Sequence, residues 1–165
     1  MIASIVILLL VTAERLASLV IGVRNSRKLL AKGGVESGAE HFPLIMGLHA
    51  AWLVGLWVLA WDRPVHWGWA LAYLPLTAAR IWVVRTLGER WTSRIIVLPG
   101  VPPVRTGPYR YLAHPNYVVM VAEVFVMPIA FGLTAYALVF VLLNASVLWI
   151  RIRMEERALA AAMEP

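Results

Sequence analysis

Five apolar segments separated by polar connections constrain the fold of this chain more than any other feature of its sequence. A membrane-spanning helix needs about 20 mainly apolar residues. The segments cover about Ile2–Val23, Pro43–Trp61, Trp67–Leu87, Asn116–Phe131 and Leu133–Ile152. Only the fourth is short for a full crossing. The sequence therefore predicts an all-α integral membrane protein with about five transmembrane helices.

The composition agrees with a membrane location. Apolar residues make up 61% of the 165 residues and charged residues 15%, against about 45–50% and about 25% in soluble domains. The absence of cysteine excludes disulfides, thiolate metal sites and a cysteine nucleophile. The first segment lacks a basic start and contains Glu14 and Arg15, so we interpret it as a retained helix rather than a cleaved signal peptide.

The positive charges predict an orientation. The net charge is +6, and basic residues concentrate in segments 24–42 and 88–115 and after residue 150, whereas the loop between helices 2 and 3 has only Arg63. Basic segments favour the cytoplasmic side of a membrane. This pattern predicts an N-terminus outside and three basic segments in the cytoplasm. It also explains the positive charge without nucleic-acid binding.

We expect one domain, residues 1–165, in three parts. Residues 1–87 would form helices 1–3, residues 88–115 an ordered cytoplasmic loop that folds back on the bundle, and residues 116–165 a helical hairpin with a tail. Gly132-Leu133-Thr134 is a tight connection, which makes helices 4 and 5 antiparallel neighbours. Pro75 and Pro128 lie inside predicted helices and are expected to kink or bend them.

Two polar clusters lie at the open ends of this hairpin. Gly107–Tyr117 is rich in tyrosine and proline and ends in His114–Tyr117, which opens helix 4. Backbone N–H groups at a helix start favour anionic ligands, but the segment equally fits a helix cap with interfacial aromatics. Arg151 and Glu155 stand four residues apart and so share a helix face. They fit either an ion pair or a site in which the guanidinium binds a carboxylate or phenolate.

Ionisable residues inside predicted helices are costly and therefore candidates for function. They are Glu14, Arg15, Arg80, Arg85 and Glu123. The alternative is that they tie helices together or, for Arg85, reach the interface. Glu123 lies about two turns beyond Asn116 and is expected to face the same cavity. His41 and His49 lack a carboxylate or third ligand at standard spacing, so we expect them to form hydrogen bonds or line a cavity rather than hold a metal.

The motifs Gly107-Pro-Tyr109, His114-Pro-Asn-Tyr117 and Arg151-x-x-x-Glu155-Glu156, with the apolar hairpin between them, resemble the isoprenylcysteine carboxyl methyltransferase family. Its members are integral membrane enzymes that use S-adenosylmethionine. The wider resemblance covers about residues 94–156. A small bacterial branch, linked to O-methylation of alkylpyrone and alkylresorcinol lipids, is similar over nearly the whole chain, which implies a bacterial inner membrane.

The resemblance implies a cytoplasmic cofactor pocket built from the loop between helices 3 and 4, the hairpin and the tail. Its cofactor-binding residues would be Arg94, Val101, Pro102, Pro103, Val104, Tyr109, His114, Pro115, Asn116, Tyr117 and Glu155. Arg151 and Glu155 would be catalytic, with Arg151 orienting the acceptor oxygen. S-adenosylhomocysteine would be the product, and the acceptor a lipid-like hydroxyl compound.

Three alternatives remain open from the sequence. The first is carboxyl methylation of an isoprenylated cysteine. The second is an NADPH-dependent membrane lipid reductase, although no glycine-rich dinucleotide motif occurs. The third is a non-catalytic membrane scaffold. The sequence defines neither the oligomeric state nor the natural methyl acceptor.

Overall fold

The computed structural model describes residues 1–162, and the last three residues of the predicted tail lie outside that range. In the described part, five α-helices are joined by loops and short 3-10 turns, which confirms the all-α prediction. The helices are α1 (Ile2–Ala31), α2 (Phe42–Ala60), α3 (Trp67–Leu87), α4 (Pro115–Ile129) and α5 (Thr134–Ala161).

Two helices extend well beyond their predicted ends. α1 continues to Ala31 rather than ending near Val23, and α5 continues past Ile152 to Ala161. The apolar runs end earlier because the chain leaves the hydrophobic region there, but the arginine, lysine and glutamate residues that follow are good helix formers. α1 ends where Gly33 adopts a positive φ of 85°.

The helices differ in their suitability for crossing a membrane. By length and composition, α1, α5 and the segment Ala39–Ala60 are long and apolar enough to span, whereas α4 is a shorter apolar helix. Large apolar side chains such as Leu142 and Val58 lie exposed on the outer surface, where lipid chains can cover them. The protein is an integral membrane protein, and the number of five crossings stays a prediction.

The apolar core lies between α1, α2, α3 and α4. Leu8, Trp52, Leu56, Tyr73 and Phe131 belong to its buried cluster. α4 and α5 pack against each other as an antiparallel hairpin, as predicted. Gly132, at a φ of 71°, makes the tight turn between them.

A small antiparallel sheet joins two of the connecting segments. Strand β1 (Val35–Ser37) follows α1, and strand β2 (Ile95–Val97) lies in the long segment between α3 and α4. The residue pairs run from Val35 opposite Val97 to Ser37 opposite Ile95. The sequence predicted an ordered loop here but not this sheet, because the pairing of such short strands depends on tertiary contacts. The sheet fixes the long loop beside the ends of α1 and α5.

Candidate active site

An open cleft lies at the end of the bundle where α1, α3 and α5 end and α4 begins. It encloses about 1040 Å³ of empty space, including its mouth. The long loop 88–114 forms much of its wall. The backbone N–H of Gly100 donates to the carbonyl of Ala162 at 2.9 Å, which attaches this loop to the end of α5. The cleft is therefore assembled from segments that are distant in the sequence.

Most of the predicted site residues meet at this cleft. Its lining includes Arg94, Val101, Pro103, Val104, Tyr109, His114, Asn116, Tyr117, Arg151 and Glu155. Pro102 and Pro115 do not line it. Pro102 is exposed and its carbonyl accepts a hydrogen bond from Arg90 Nη1 at 2.7 Å, while Pro115 is buried as the first residue of α4. The binding roles of all twelve residues stay predictions.

The hydroxyl group of Tyr117 connects the two clusters that the sequence singled out. Arg151 Nε donates to Tyr117 Oη at 2.9 Å, and Tyr117 Oη donates to Glu155 Oε2. Arg151 and Glu155 thus share the tyrosine instead of forming the direct ion pair that their spacing allowed. We call Tyr117, Arg151 and Glu155 the cleft triad. It joins the first turn of α4 to the last turns of α5.

Aromatic groups surround the cleft triad. The His114 ring stacks on Tyr117 at 5.4 Å between ring centroids, and His114 Nε2 lies 3.7 Å from a Glu156 oxygen. Trp91 Nε1 donates to Asn116 Oδ1 at 3.2 Å.

Burial, reinforced by the negative charge of Glu155, raises the pKa of Tyr109, so its phenol stays neutral at neutral pH.

Arg94 directly precedes strand β2 and is bound by Glu36 of strand β1. Its Nη1 donates to both carboxylate oxygens of Glu36 at 2.9 and 3.1 Å, and its guanidinium lies 4.6 Å from the centre of the Phe42 ring. Sequence reasoning missed Glu36, Arg90 and Trp91 as neighbours of the site. Glu36 pairs with Arg94 across 58 residues and Trp91 with Asn116 across 25, while Arg90 pairs with Pro102 within one irregular loop, so no regular sequence pattern could have revealed these contacts.

A second, smaller groove runs between the start of α2 and α5. About 390 Å³ of empty space lies in and at the mouth of this groove, open solvent included. It is lined by Glu36, Ser37, Gly38, His41, Phe42, Leu44, Ile45, Arg94, Ile95, Val147, Ile150, Arg151 and Met154. Arg94, Ile95 and Arg151 also line the cleft, so the two spaces adjoin there. The groove walls are mainly apolar. His41 lines this groove, in agreement with its predicted cavity-lining position.

Glu123 belongs to a separate buried cluster rather than to the cleft. It is fully buried and accepts hydrogen bonds from Arg80 Nε at 2.8 Å and Arg15 Nη2 at 2.9 Å. Glu14 accepts a hydrogen bond from Tyr73 Oη at 3.0 Å and lies 3.3 Å from Arg80 Nε. We call Glu14, Arg15, Arg80 and Glu123 the ion cluster. It ties α1, α3 and α4 together.

The described residues contain no candidate metal site. Within residues 1–162, no group of three or more histidine, aspartate or glutamate side chains is placed to hold a metal ion. His49 lies in α2 and lines neither the cleft nor the groove.

Comparison with known proteins identifies one family. The profile described as "Isoprenylcysteine carboxyl methyltransferase (ICMT) family" matches residues 69–161, from the start of α3 to the end of α5. "Uncharacterized protein YpbQ" of Bacillus subtilis (strain 168) is 32% identical over 151 residues, which cover 88% of this chain and 90% of that protein. An "Uncharacterized protein" of Haemophilus influenzae is 27% identical over 162 residues, 91% of each chain. No solved structure matches.

Proposed function

Because this chain belongs to the isoprenylcysteine carboxyl methyltransferase family of membrane methyltransferases, we propose that it transfers a methyl group from S-adenosylmethionine to the hydroxyl of a lipid-like acceptor. Alkylpyrones and alkylresorcinols are the acceptor type. One observation carries the proposal: a cleft that contains several polar side chains and a more apolar groove adjoin at Arg94 and Arg151. Such a junction brings a water-soluble cofactor and a lipid together.

The cleft residues fit the chemistry of S-adenosylmethionine. The cofactor carries an ammonium group, a carboxylate, ribose hydroxyls and a purine. The Oε1 atom of Glu155, which Tyr117 leaves free, can accept a hydrogen bond from the ammonium, and the Asn116 amide can form hydrogen bonds with the hydroxyls. The stacked rings of His114 and Tyr117 offer an aromatic surface for the purine.

Arg151 is the residue that we propose to act on the acceptor. Its Nε is engaged by Tyr117, and its terminal nitrogens make no hydrogen bond to the described residues. They can hold an acceptor oxygen, and the positive charge lowers the pKa of a hydroxyl beside it. When bound, S-adenosylmethionine supplies the methyl group, so that a C–O bond forms as the C–S bond breaks and its electron pair stays on sulfur.

The groove supports a lipid-like acceptor. Its walls include Phe42, Leu44, Ile45, Val147 and Ile150. Leu44 and Ile150 are 55% and 38% exposed on the lipid-facing surface, so an alkyl chain can enter sideways from the bilayer. Lipid tails are as apolar as the groove walls, so the groove would align the chain by packing rather than by a hydrophobic gain over the bilayer. The reactive head would then lie at Arg151.

We also propose that the protein lies in the inner membrane of a bacterium. Its cleft would face the cytoplasm and its N-terminus would lie outside. The support is the basic charge at this end of the bundle, from Arg24 to Lys32 at the end of α1 and from Arg151 to Arg157 on α5. The chain has no cysteine, so single introduced cysteines can test the orientation. A cysteine at Arg110 should react with an impermeant maleimide only after the membrane is opened.

The deciding experiment is cofactor binding by the purified protein in detergent or nanodiscs. We expect calorimetry to detect binding of S-adenosylhomocysteine and no binding of NADPH. Binding of NADPH alone would favour the lipid reductase, and binding of neither would favour the scaffold. A methylation assay with labelled cofactor across an alkylpyrone, an alkylresorcinol and a farnesylcysteine analogue then identifies the acceptor. Methylation of the farnesylcysteine analogue alone would favour the second candidate, carboxyl methylation, for which the family is named.

A further inference from the structure

We infer that Tyr117 and Glu155 form a proton relay that takes the proton from a hydroxyl acceptor. The inference rests on the proposed function, because it requires an acceptor hydroxyl beside Arg151. A carboxylate acceptor has already lost its proton at neutral pH and needs no such path. The relay therefore concerns the chemical class of the acceptor rather than the identity of the cofactor.

The position of the Tyr117 hydroxyl is the basis of this inference. It receives a hydrogen bond from Arg151 Nε at 2.9 Å and donates its own proton to Glu155 Oε2. A phenolic oxygen has one proton to donate and two lone pairs that accept. With Arg151 on one lone pair, the other is available to an acceptor hydroxyl. Tyr117 is only 9% exposed, so water competes weakly for this position.

The proton transfer balances without any added reagent. The acceptor O–H gives its proton to Tyr117 Oη while the Tyr117 proton moves to Glu155 Oε2. Tyr117 ends as a neutral phenol, Glu155 becomes a neutral acid, and Arg151 keeps its positive charge beside the acceptor anion. Glu155 is only partly buried and lines the open cleft, so it can then release the proton to water.

The other titratable groups around the cleft triad are less suited to this task. The raised pKa of Tyr109 keeps it protonated. The His114 ring lies almost parallel to the Tyr117 ring, at 16°, with Nε2 near Glu156. Of the two carboxylates that line the cleft or groove in the described chain, Glu36 is bound by Arg94. Glu155 is the carboxylate that remains.

The first test replaces the tyrosine hydroxyl alone. Tyr117→Phe keeps the ring and removes the O–H group. The measurement is kcat/KM for an alkylresorcinol divided by kcat/KM for a carboxylate of equal chain length, at saturating cofactor. We expect this ratio to fall by about 10²-fold, the usual contribution of general base catalysis. Tyr111→Phe is the matched control, because Tyr111 is 73% exposed and does not line the cleft.

A second readout needs no turnover. An alkyl nitrophenol bound with S-adenosylhomocysteine reports its ionisation by visible absorbance. After the relay, the Tyr117 hydroxyl carries the proton it took from the acceptor and donates a hydrogen bond to the acceptor anion. Tyr117→Phe removes this donor, so the titration midpoint of the bound nitrophenol should rise by about one pH unit. Tyr111→Phe should titrate like the natural protein.

Glu155→Gln separates a relay from a simple charge effect. Removing a negative charge near the acceptor should lower the acceptor's titration midpoint, which by itself favours methyl transfer. Because glutamine cannot take the proton, the relay instead requires transfer to the hydroxyl acceptor to become slower, by about 10²-fold at saturating cofactor. Faster transfer in this variant would show that Glu155 acts only through its charge and would overturn the relay.

The outcomes distinguish the relay from the proposed function. An unchanged acceptor ratio and an unchanged midpoint in Tyr117→Phe would overturn the relay while the methyltransferase stands. Methylation of carboxylates only would overturn both the relay and the hydroxyl acceptor of the proposed function, while the use of S-adenosylmethionine would stand. Failure of the natural protein to bind S-adenosylhomocysteine would overturn both proposals together.

Discussion

The ion cluster and the cleft triad use similar residue types in opposite ways. In the ion cluster, two arginines and two glutamates face one another between α1, α3 and α4, with Glu123 fully buried. Neither the cleft nor the groove reaches them. In the cleft triad, one hydroxyl lies between a cation and a carboxylate, and Arg151 borders both spaces. The two clusters show that a charge within a membrane helix indicates a site only where there is room for a ligand beside it.

The two clusters also differ in the effect that the loss of one member should have. Charges in a low-dielectric interior are tolerated because their partners compensate them, so loss of one partner leaves the others unpaired. In the ion cluster, Glu123 compensates both Arg15 and Arg80. In the cleft triad, Tyr117 is buried, but Arg151 and Glu155 are partly exposed and line the open cleft. Mutations should therefore destabilise the fold in the first cluster and impair ligand chemistry in the second.

Glu123→Ala should have the largest effect on the fold. The buried Arg80 and the partly buried Arg15 would lose their common carboxylate, and we expect a loss of about 3–5 kcal/mol in the free energy of unfolding. Denaturation in detergent micelles measures it. Glu40→Ala is the control, since Glu40 is an exposed carboxylate paired only with His41. If Glu123→Ala kept its stability but lost methyl transfer, the ion cluster would be part of the active site and the contrast would fail.

Arg151→Ala should have the largest effect on activity. Loss of the positive charge at the acceptor oxygen should lower methyl transfer by about 10²–10³-fold, as for other preorganised groups that stabilise an anion. Binding of S-adenosylhomocysteine should weaken far less, and the stability should change less than in Glu123→Ala. The measurements are labelled-methyl transfer and calorimetry on the same preparation.

Arg153→Ala is the matched control for this prediction. Arg153 lies two residues away on α5, is exposed, and contacts Trp149 rather than the cleft. The Arg153→Ala substitution removes a positive charge from the same helix and leaves the cleft triad unchanged. Equal activity in the Arg151 and Arg153 variants would reject the assignment of Arg151 to the acceptor.

Tyr117→Ala should have a smaller effect, on cofactor affinity. Removal of the ring takes away the stacking surface shared with His114, and we expect the calorimetric Kd of S-adenosylhomocysteine to rise by about tenfold, from roughly 1–1.5 kcal/mol of aromatic contact. Tyr111→Ala controls for the loss of a tyrosine from the same segment. An unchanged Kd in Tyr117→Ala would remove this ring from the binding surface.

The sequence predicted the number and order of the helices more accurately than the residues at which they end. α3 has the predicted bounds, Trp67–Leu87, because Gly88 follows it with a positive φ of 55°. The ends of α1 and α5 were predicted too early because hydropathy reports the edge of the apolar region rather than the end of a helix. The Glu36–Arg94 pair and the sheet around it were not predictable, since their partners lie 58 residues apart.

For the candidate site, ten of the twelve residues named from the sequence line the cleft, but their contacts were not predicted. The spacing of Arg151 and Glu155 gave one helix face, and the structure adds Tyr117 between them. Glu123 was expected to face the same cavity as Asn116. That expectation was wrong, because deeper in the bundle this side of α4 meets Arg15 from α1 and Arg80 from α3. Helix periodicity defines a face, but only packing defines what the face meets.

Glu89→Gln should have the smallest effect, and its pH dependence sharpens the contrast with the ion cluster. Hydrogen bonds from Lys28 at 2.7 Å and Lys32 at 2.5 Å lower the pKa of the exposed Glu89 carboxyl from 4.5 to about 2. A carboxyl with a lowered pKa stabilises the fold above its unfolded value, and this contribution disappears as the pH falls from about 4.5 to about 2.

We therefore expect a small decrease in Tm for Glu89→Gln at neutral pH, which shrinks over that acidic range and with added salt. Thermal denaturation at several pH values and salt concentrations measures it. The Glu123→Ala loss should respond much less to salt, because Glu123 and Arg80 are buried and Arg15 is only partly exposed. Equal salt sensitivity of the two variants would mean that solvent reaches Glu123, and the division between a closed cluster and an open one would no longer hold.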